Sequence, residues 1–503
     1  MRYTRPKASF TKHVTKPPEA FVKTQSSYLM GAFWAALNAT ASVLLPFGLF
    51  VFFAREISPP LLGVVAFAMA CTEVFKALGL PGVYEALLQQ KDDLRRCHET
   101  ALALLLCASG LLVPSSLLLL YGLGEFVPGL HQNFLLLSLL VLRIPLDLAT
   151  VQPQAMLVAR LAYRRLALRT IMANVVAGCF GVLIALVVRP VDGLVAYQLI
   201  QSLLTFGTTA IGSGLLARPV LHRDCIRRLR RETLLATGNR TLAATINYVD
   251  QMAIAPLAGN IGLAYYNLGK RLETTFITVA NSFAAILFQP LFATDGALSK
   301  QKGTLRALLV LSLVCGVPAA VVFSNSRSVV GLIFGPNWVN AAPIVGWLSL
   351  NGFVRAVGMV PGSFLSVSGR NRDLLMTSIV SAAGSLALVF ALASTSIALC
   401  AISLAVKNAG IVGWMAWLSR RDVGQPLVTY LATVIAPVTL MIAAASVVTS
   451  MLAPVHAAGP LQTVIRLALS GFGALGFGGA WIGTAYVLSQ RLPDHTPSVG
   501  LRA

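Results

Sequence analysis

Apolar runs of about 20 residues recur along this chain from near residue 28 to near residue 490, separated only by short polar or turn-rich breaks. That is the length a helix needs to cross a hydrocarbon core about 30 Å thick. The runs are continuous and carry Gly and Pro inside them, which suits helices; a barrel would show alternating segments of about ten residues. With 56% hydrophobic and 11% charged residues and a mean hydropathy of +0.76, no stretch is left to build a separate soluble core. The N-terminus lacks a compact apolar segment followed by a small-residue cleavage site, so the first span is expected to act as the insertion signal.

The expected fold class is an all-α polytopic membrane protein with about fourteen transmembrane helices, centred near residues 41, 70, 110, 145, 178, 204, 248, 275, 315, 352, 382, 407, 440 and 474. Lys and Arg set its orientation. With both termini inside, 29 of the 39 basic residues fall on cytoplasmic segments and only Arg55, Arg189 and Arg327 on outer loops, the other 7 lying within or at the edge of spans. The positive-inside rule then gives N-in and C-in, in agreement with an even number of spans. The formal charge of +21 is largely this topological signal. No recognition helix or aromatic-interleaved basic motif accompanies it, which excludes a nucleic-acid partner. The cluster "RDCIRRLRR" at 223–231 is expected to lie along anionic membrane lipids.

The seven cysteines show no paired spacing, so neither a disulfide framework nor a metal site is indicated. All six histidines fall in loops, tails or span ends, which argues against a buried histidine relay. No cofactor motif is present.

Charges inside the spans are the candidates for function. If the eighth span starts near Asn260, Lys270 and Arg271 lie about ten residues, or roughly 15 Å, below the outer face, close to the bilayer midplane. The same reckoning places Asp250 in span 7, Glu73 and Lys76 in span 2, Arg143 and Asp147 in span 4, Arg355 in span 10 and Lys407 in span 12. Each costs about 2.5 to 3.5 kcal/mol on insertion scales, so such residues are retained for a reason. Glu73 with Lys76 (i, i+3) and Arg143 with Asp147 (i, i+4) have the spacing to neutralise one another. Arg355 and Lys407 have no acid within a helical turn, and Lys270 with Arg271 has only Glu273. Asp250 has no base within a turn, which suits either proton or sodium coupling or pairing with a cavity cation.

A repeat is also legible. "LLGVVAFAMACTEVF" at 61–75 lines up with "NIGLAYYNLGKRLETTF" at 260–276, Gly63 on Gly262 and Phe67 on Tyr266, at a spacing of about 199 residues or six spans. Both copies enter from the outer face, so the repeat is parallel and substrate is expected near midplane between the copies. The expected organisation is a basic cytoplasmic tail (1–27), an N-terminal lobe of six spans (28–216), a basic linker (217–237), a C-terminal lobe of six spans (238–421), two further spans (422–490) and a cytoplasmic tail (491–503).

The stretches "GLPGVYEALLQQKDD" at 79–93, "VDQMAIAPLAGNIGLAYYNLGKRLE" at 249–273, "IFGPNWVNAAPI" at 333–344 and "SVSGRNRD" at 366–373 resemble, in order and placement, the Wzx-type polysaccharide flippases of the multidrug/oligosaccharidyl-lipid/polysaccharide exporter superfamily. The resemblance covers about 28–420. It implies two lobes around a central cavity that carry a polyprenyl-diphosphate-linked oligosaccharide across the cytoplasmic membrane by alternating access, without catalysis or cofactor. A polysaccharide polymerase and a chain-length regulator are its expected partners.

On that resemblance the substrate-binding cations are Lys270, Arg271, Arg355, Lys407, Arg143 and Lys76, and the ion-coupling candidates are Asp250, Asp147, Glu73 and Glu273. The chemistry agrees, because a diphosphate calls for clustered cations. Trp338, Trp347, Tyr265 and Tyr266 have the character of either interfacial belt residues or sugar-stacking platforms. Among rivals, a multidrug and toxin extrusion (MATE)-like cation antiporter calls for an acidic cavity and a membrane-embedded polymerase or ligase for a sizeable outer loop, whereas the longest here is about 15 residues. A peptidoglycan-precursor flippase stays open on sequence alone.

Overall fold

The computed structural model describes residues 19–90, 94–213, 218–283, 297–423, 427–451 and 460–490. The expected tail at 491–503, most of that at 1–27, and the start of the linker at 217 lie outside the described residues. No strand occurs among the described residues. In lipid a backbone can satisfy its own polar groups only as a helix or a closed barrel, and these sequences take the first route.

The N-terminal half comprises α1 (Glu19–Glu56), α2 (Pro59–Leu78), the short α3 (Val83–Gln89), α4 (Leu94–Gly122), α5 (Phe134–Val141), α6 (Arg143–Ala159), α7 (Tyr163–Val187) and α8 (Pro190–Ser213). The C-terminal half begins with α9 (Arg223–Phe283), followed by α10 (Ala297–Val314), α11 (Gly316–Ser324), α12 (Ser326–Ile333), α13 (Ala342–Val367), α14 (Asn371–Leu392) and α15 (Ile397–Val423). Two further helices, α16 (Leu427–Met451) and α17 (Pro460–Gln490), pack on each other and on α11.

Among the described residues twelve segments are long and apolar enough to cross a membrane, and they contain twelve of the fourteen expected centres. The other two, near 248 and 275, fall in α9, whose arms are too polar to be among the twelve. Gly259 divides this helix with φ 72° and ψ 177°, a backbone region open essentially to glycine alone. The arms fold back on one another there, so that Asn267 donates to the Gln251 side-chain oxygen at 3.0 Å. The basic stretch expected as a linker forms the first turns of α9, with Arg227 and Arg230 exposed and Cys225 and Leu229 buried against α3 and α4.

Large side chains such as Leu118, Leu135, Val187 and Ile211 point outward and lie open. In water such a surface would aggregate; in lipid it is the expected exterior. Polar groups gather inside. His98, expected at a span end, is buried there against the Gln152 amide at 3.0 Å. The Cys97 and Cys225 sulfurs, also buried, lie 3.1 Å apart, a proximity their sequence separation does not reveal.

The two halves meet along α2, which runs antiparallel to the first arm of α9. At one end Gly63 abuts the Asn260 backbone. At the other, Thr241 donates to the Ala77 carbonyl at 2.6 Å and the Gly82 amide to Thr237 at 3.1 Å. Beyond them Arg240 pairs with Glu85 at 2.6 Å. At the Gly63 end the closure is reinforced by the Trp338 indole, which donates to the Ala54 carbonyl at 2.6 Å, and by Arg55, which donates to the Ile333 carbonyl at 2.7 Å.

Trp338 is thus buried, 1% exposed, and is neither a belt residue nor a sugar platform. Tyr266 is fully buried too, while Trp347 packs edge-on against Phe323 and Tyr265 against Trp338. A Cβ at Gly63 would overlap the Asn260 carbonyl, and backbone cannot step aside as a flexible side chain can. Gly63→Ala is therefore expected to destabilise by about 1 to 3 kcal/mol, the usual range for overpacking, seen as a lower melting temperature in detergent. An unchanged melting temperature would show that the halves do not meet here.

Candidate functional site

Each half carries one intramembrane ion-pair network. In the N-terminal half Lys76 lies 2.8 Å from Glu73 and 2.7 Å from Asp147, and Arg143 lies 3.8 Å from Glu73 and 3.6 Å from Asp147. The spacings within α2 and α6 suggested two self-contained pairs; the structure fuses them. Arg143 also donates to Ser202 of α8 at 3.1 Å.

In the C-terminal half Lys270 lies 2.9 Å from Asp250 and 3.4 Å from Glu273, and Arg355 of α13 pairs with the same Glu273 oxygen, Oε1. In sequence Asp250 reads as either an ion-coupling carboxylate or the partner of a cavity cation, the latter expected from across the lobe interface. Its partner comes instead from the other arm of its own helix, and it also accepts from the Tyr266 hydroxyl at 2.6 Å. Glu273 is fully buried.

One pair in each network follows the repeat. α2 and the second arm of α9 start from the same end of the molecule, where Gly63 meets Asn260. In each half a glutamate near the end of that element, Glu73 or Glu273, meets an arginine from a later helix, Arg143 of α6 or Arg355 of α13. α6 packs on α4 and α8 as α13 packs on α10, α11 and α15. Two acids and two bases on each side leave both networks neutral.

Between the halves lies a cavity of about 240 Å³ lined from α1, α2, α6, α8 and both arms of α9. Of the six expected cations, Arg143, Lys270 and Arg271 line it. Only Arg271 among these three has no carboxylate partner among the described residues; its guanidinium sits 4.8 Å above the Phe50 ring of α1. Glu73 is the one acid in the lining.

The other three cations lie elsewhere. Lys76 is enclosed in its ion pairs. Arg355 faces a second cavity within the C-terminal half. Lys407 turns toward α14, donating to the Ser381 carbonyl at 2.9 Å and to the Ser385 hydroxyl at 2.6 Å.

Charge alone did not point to the uncharged part of the central wall: Tyr197, Gln198, Gln201, Tyr248 and Asn267. Gln198 and Gln201 are spaced i, i+3 on one apolar helix, and that spacing was the available signal. Such a wall offers donors and acceptors around a cationic centre. It suits an anionic, polar group better than a cation, which would want more than one carboxylate.

Known proteins resemble the chain in sequence and in fold. Teichuronic acid biosynthesis protein TuaB of Bacillus subtilis (strain 168) is 27% identical over 308 residues, 59% of this chain and 62% of that protein. Succinoglycan biosynthesis transport protein ExoT of Rhizobium meliloti (strain 1021) is 24% identical over 340 residues, 63% of this chain and 65% of that one. In both cases the match spans a little under two thirds of the relative.

Among solved structures, the lipid II flippase MurJ in an inward closed conformation superposes with a TM-score of 0.67 at 10% identity, covering 92% of this chain and 99% of that one. An outward-facing MATE-family multidrug resistance transporter of the MOP superfamily gives 0.56 at 12% identity, covering 78% and 94%. At these identities the likeness is one of fold. Residues 52–343 match the family model described as polysaccharide biosynthesis protein, and the chain belongs to that family.

Proposed function

We propose that this protein is a flippase that moves a polyprenyl-diphosphate-linked oligosaccharide across the cytoplasmic membrane for polysaccharide assembly, by alternating access and without catalysis. The observation that carries the reading is Arg271: a cation without a carboxylate partner among the described residues, held in a polar cavity where the two halves meet. A guanidinium at that depth is tolerated where an anion or water compensates it, and it offers a diphosphate bidentate hydrogen bonds. Lys270 and Arg143 line the same cavity while staying paired.

At about 240 Å³ the cavity is smaller than the usual range for ligand sites, about 300 to 1,000 Å³, so a saccharide head must enter with the halves apart. The hydrogen bonds at the two ends of α2 are the contacts that such a cycle breaks in turn. The two arms of α9 serve as spans 7 and 8, giving fourteen, and divide the chain into the lobes expected from the repeat. Asp250, Glu273, Glu73 and Asp147, each within reach of a cation it must release to protonate, are the coupling candidates.

The relatives' names favour a polysaccharide repeat unit over a peptidoglycan precursor, and the cationic cavity disfavours a drug cation. A polymerase and a chain-length regulator are the fitting partners. Deleting the gene is expected to make a lipid-linked saccharide accumulate on the inner leaflet, identifiable by mass spectrometry; a strain without any such accumulation would refute the reading. The N-in, C-in orientation places Arg227 inside. In intact cells Arg227→Cys, in a chain with the exposed Cys107 and Cys179 replaced by Ala, should react with membrane-permeant maleimides and not with impermeant ones, and labelling by the latter would reverse the topology.

A further inference from the structure

The second cavity, about 460 Å³, lies within the C-terminal half between the first arm of α9, α13, α14 and α15. It is separated from the central cavity by the chain of contacts from Lys270 through Glu273 to Arg355: Lys270 lines one cavity, Arg355 the other, and the buried Glu273 joins them. Its wall is rich in hydroxyls and amides. α13 supplies Ser363 and Ser366; α14 supplies Thr377, Ser378 and Ser381; Asn247 of α9 and Asn408 of α15 add amides. No carboxylate lines it among the described residues.

Its one lining cation, Arg355, is already committed to Glu273 and to the Asn247 side-chain oxygen. Lys407 stands behind the wall, and all three of its donors go to the Ser381 carbonyl, the Ser381 hydroxyl and the Ser385 hydroxyl. Its charge therefore reaches the cavity only through the Ser381 hydroxyl. The Ser363 and Ser366 hydroxyls have no partner among the described residues. Thr377 and Ser378 spend their protons on the Leu374 carbonyl, leaving lone pairs to accept.

The remaining wall is aliphatic or bare: Gly358, Met359, Gly362, Ile411 and Val412. A ligand matching this surface must both donate and accept many hydrogen bonds, present C–H faces between them, and bring no strong charge. An acyl or polyprenyl chain would waste the hydroxyls. A cationic drug finds no carboxylate, and a diphosphate finds no uncommitted cation in the lining.

We propose that this cavity is a saccharide subsite, distinct from the diphosphate site around Arg271, that holds sugar rings of the lipid-linked substrate while the halves exchange access. It rests on the flippase reading given above, and the experiment separates the two. Ser366 is exposed and lines the second cavity, while Thr274 is exposed and lines the central one. Ser366→Cys and Thr274→Cys are placed separately in the full chain with the exposed Cys107 and Cys179 replaced by Ala. Each protein, in nanodiscs, is alkylated with N-ethylmaleimide in the presence of undecaprenyl diphosphate or of undecaprenyl diphosphate carrying a short oligosaccharide.

The saccharide-bearing lipid is expected to slow alkylation severalfold at both positions, and the sugar-free lipid only at Thr274→Cys. Gly362 is the blocking site: a Cβ there makes only ordinary contact with Leu374. Leu at this position extends into the cavity while favouring the helix over Gly. Adding Gly362→Leu should abolish protection at Ser366→Cys and leave it intact at Thr274→Cys. Equal protection of Ser366→Cys by both lipids, or protection that survives Gly362→Leu, overturns the subsite. Protection at Thr274→Cys with none at Ser366→Cys overturns it too, while leaving the flippase reading standing. Absence of protection at both positions removes the flippase reading and the subsite with it.

Discussion

Arg271→Gln is expected to lower export at least tenfold while the protein stays in the membrane at its normal level. A hydrogen bond to a charged group contributes about 1.5 to 3 kcal/mol, and each 1.4 kcal/mol is a factor of ten. What makes this variant informative is that Arg271 has no carboxylate partner among the described residues and rests on the Phe50 ring. Removing its charge therefore orphans nothing within the fold. The loss on the protein side is a cation–π contact of about 0.5 to 2 kcal/mol, too little to unfold a domain. Arg271→Lys should recover export in part, since it restores the charge without the bidentate geometry. The measurement is the amount of lipid-linked saccharide accumulating in a deletion strain complemented with each variant, beside immunodetection of the protein in membranes. Full complementation by Arg271→Gln would remove this residue from the binding site.

Partners within a helical turn were legible in the sequence, Glu73 with Lys76 and Arg143 with Asp147; partners brought from elsewhere in the chain were not. Counting residues from a span end singles out charges expected to be costly, because the cost of burying charge depends on depth and depth follows helical rise. Pairing depends on which helices touch. Asp250 reads as isolated because its partner, Lys270, is brought back by the turn at Gly259. Arg355 reads as a free cavity cation because Glu273 is 82 residues away. Lys407 has the same charge and similar depth but faces the serines of α14. The repeat spacing was the stronger signal: it brings the Glu73 region to within one residue of Glu273, and in the structure each of these glutamates meets an arginine from a later helix, Arg143 or Arg355. Neutral polar residues such as Tyr248 and Gln201 carry no comparable depth penalty and stayed out of view.

Arg355→Gln is expected to lower the amount of folded protein, a different failure from that of Arg271→Gln. Glu273 is fully buried and shared between Arg355 and Lys270, the latter at 3.4 Å. Removing one partner of a buried ion pair leaves uncompensated charge and costs about 3 to 5 kcal/mol. Lys270 remains within reach and Arg355 is 26% exposed, which puts the expected cost at the low end, about 3 kcal/mol. Since marginal losses of 1 to 2 kcal/mol already change abundance severalfold, the single variant should be scarce in membranes and melt at a lower temperature in detergent. The double variant Glu273→Gln/Arg355→Gln removes both charges and leaves amides that can bond to each other, while Lys270 keeps Asp250 at 2.9 Å. Replacing both members of a buried pair is often close to neutral, so abundance and melting temperature should return most of the way to wild type. A binding role for the Arg355 charge makes the opposite demand: normal abundance in the single variant, with export lost there and in the double variant alike. Arg355→Gln melting like wild type would therefore return this residue to the substrate cations, and the wall between the two cavities would no longer rest on its pair with Glu273.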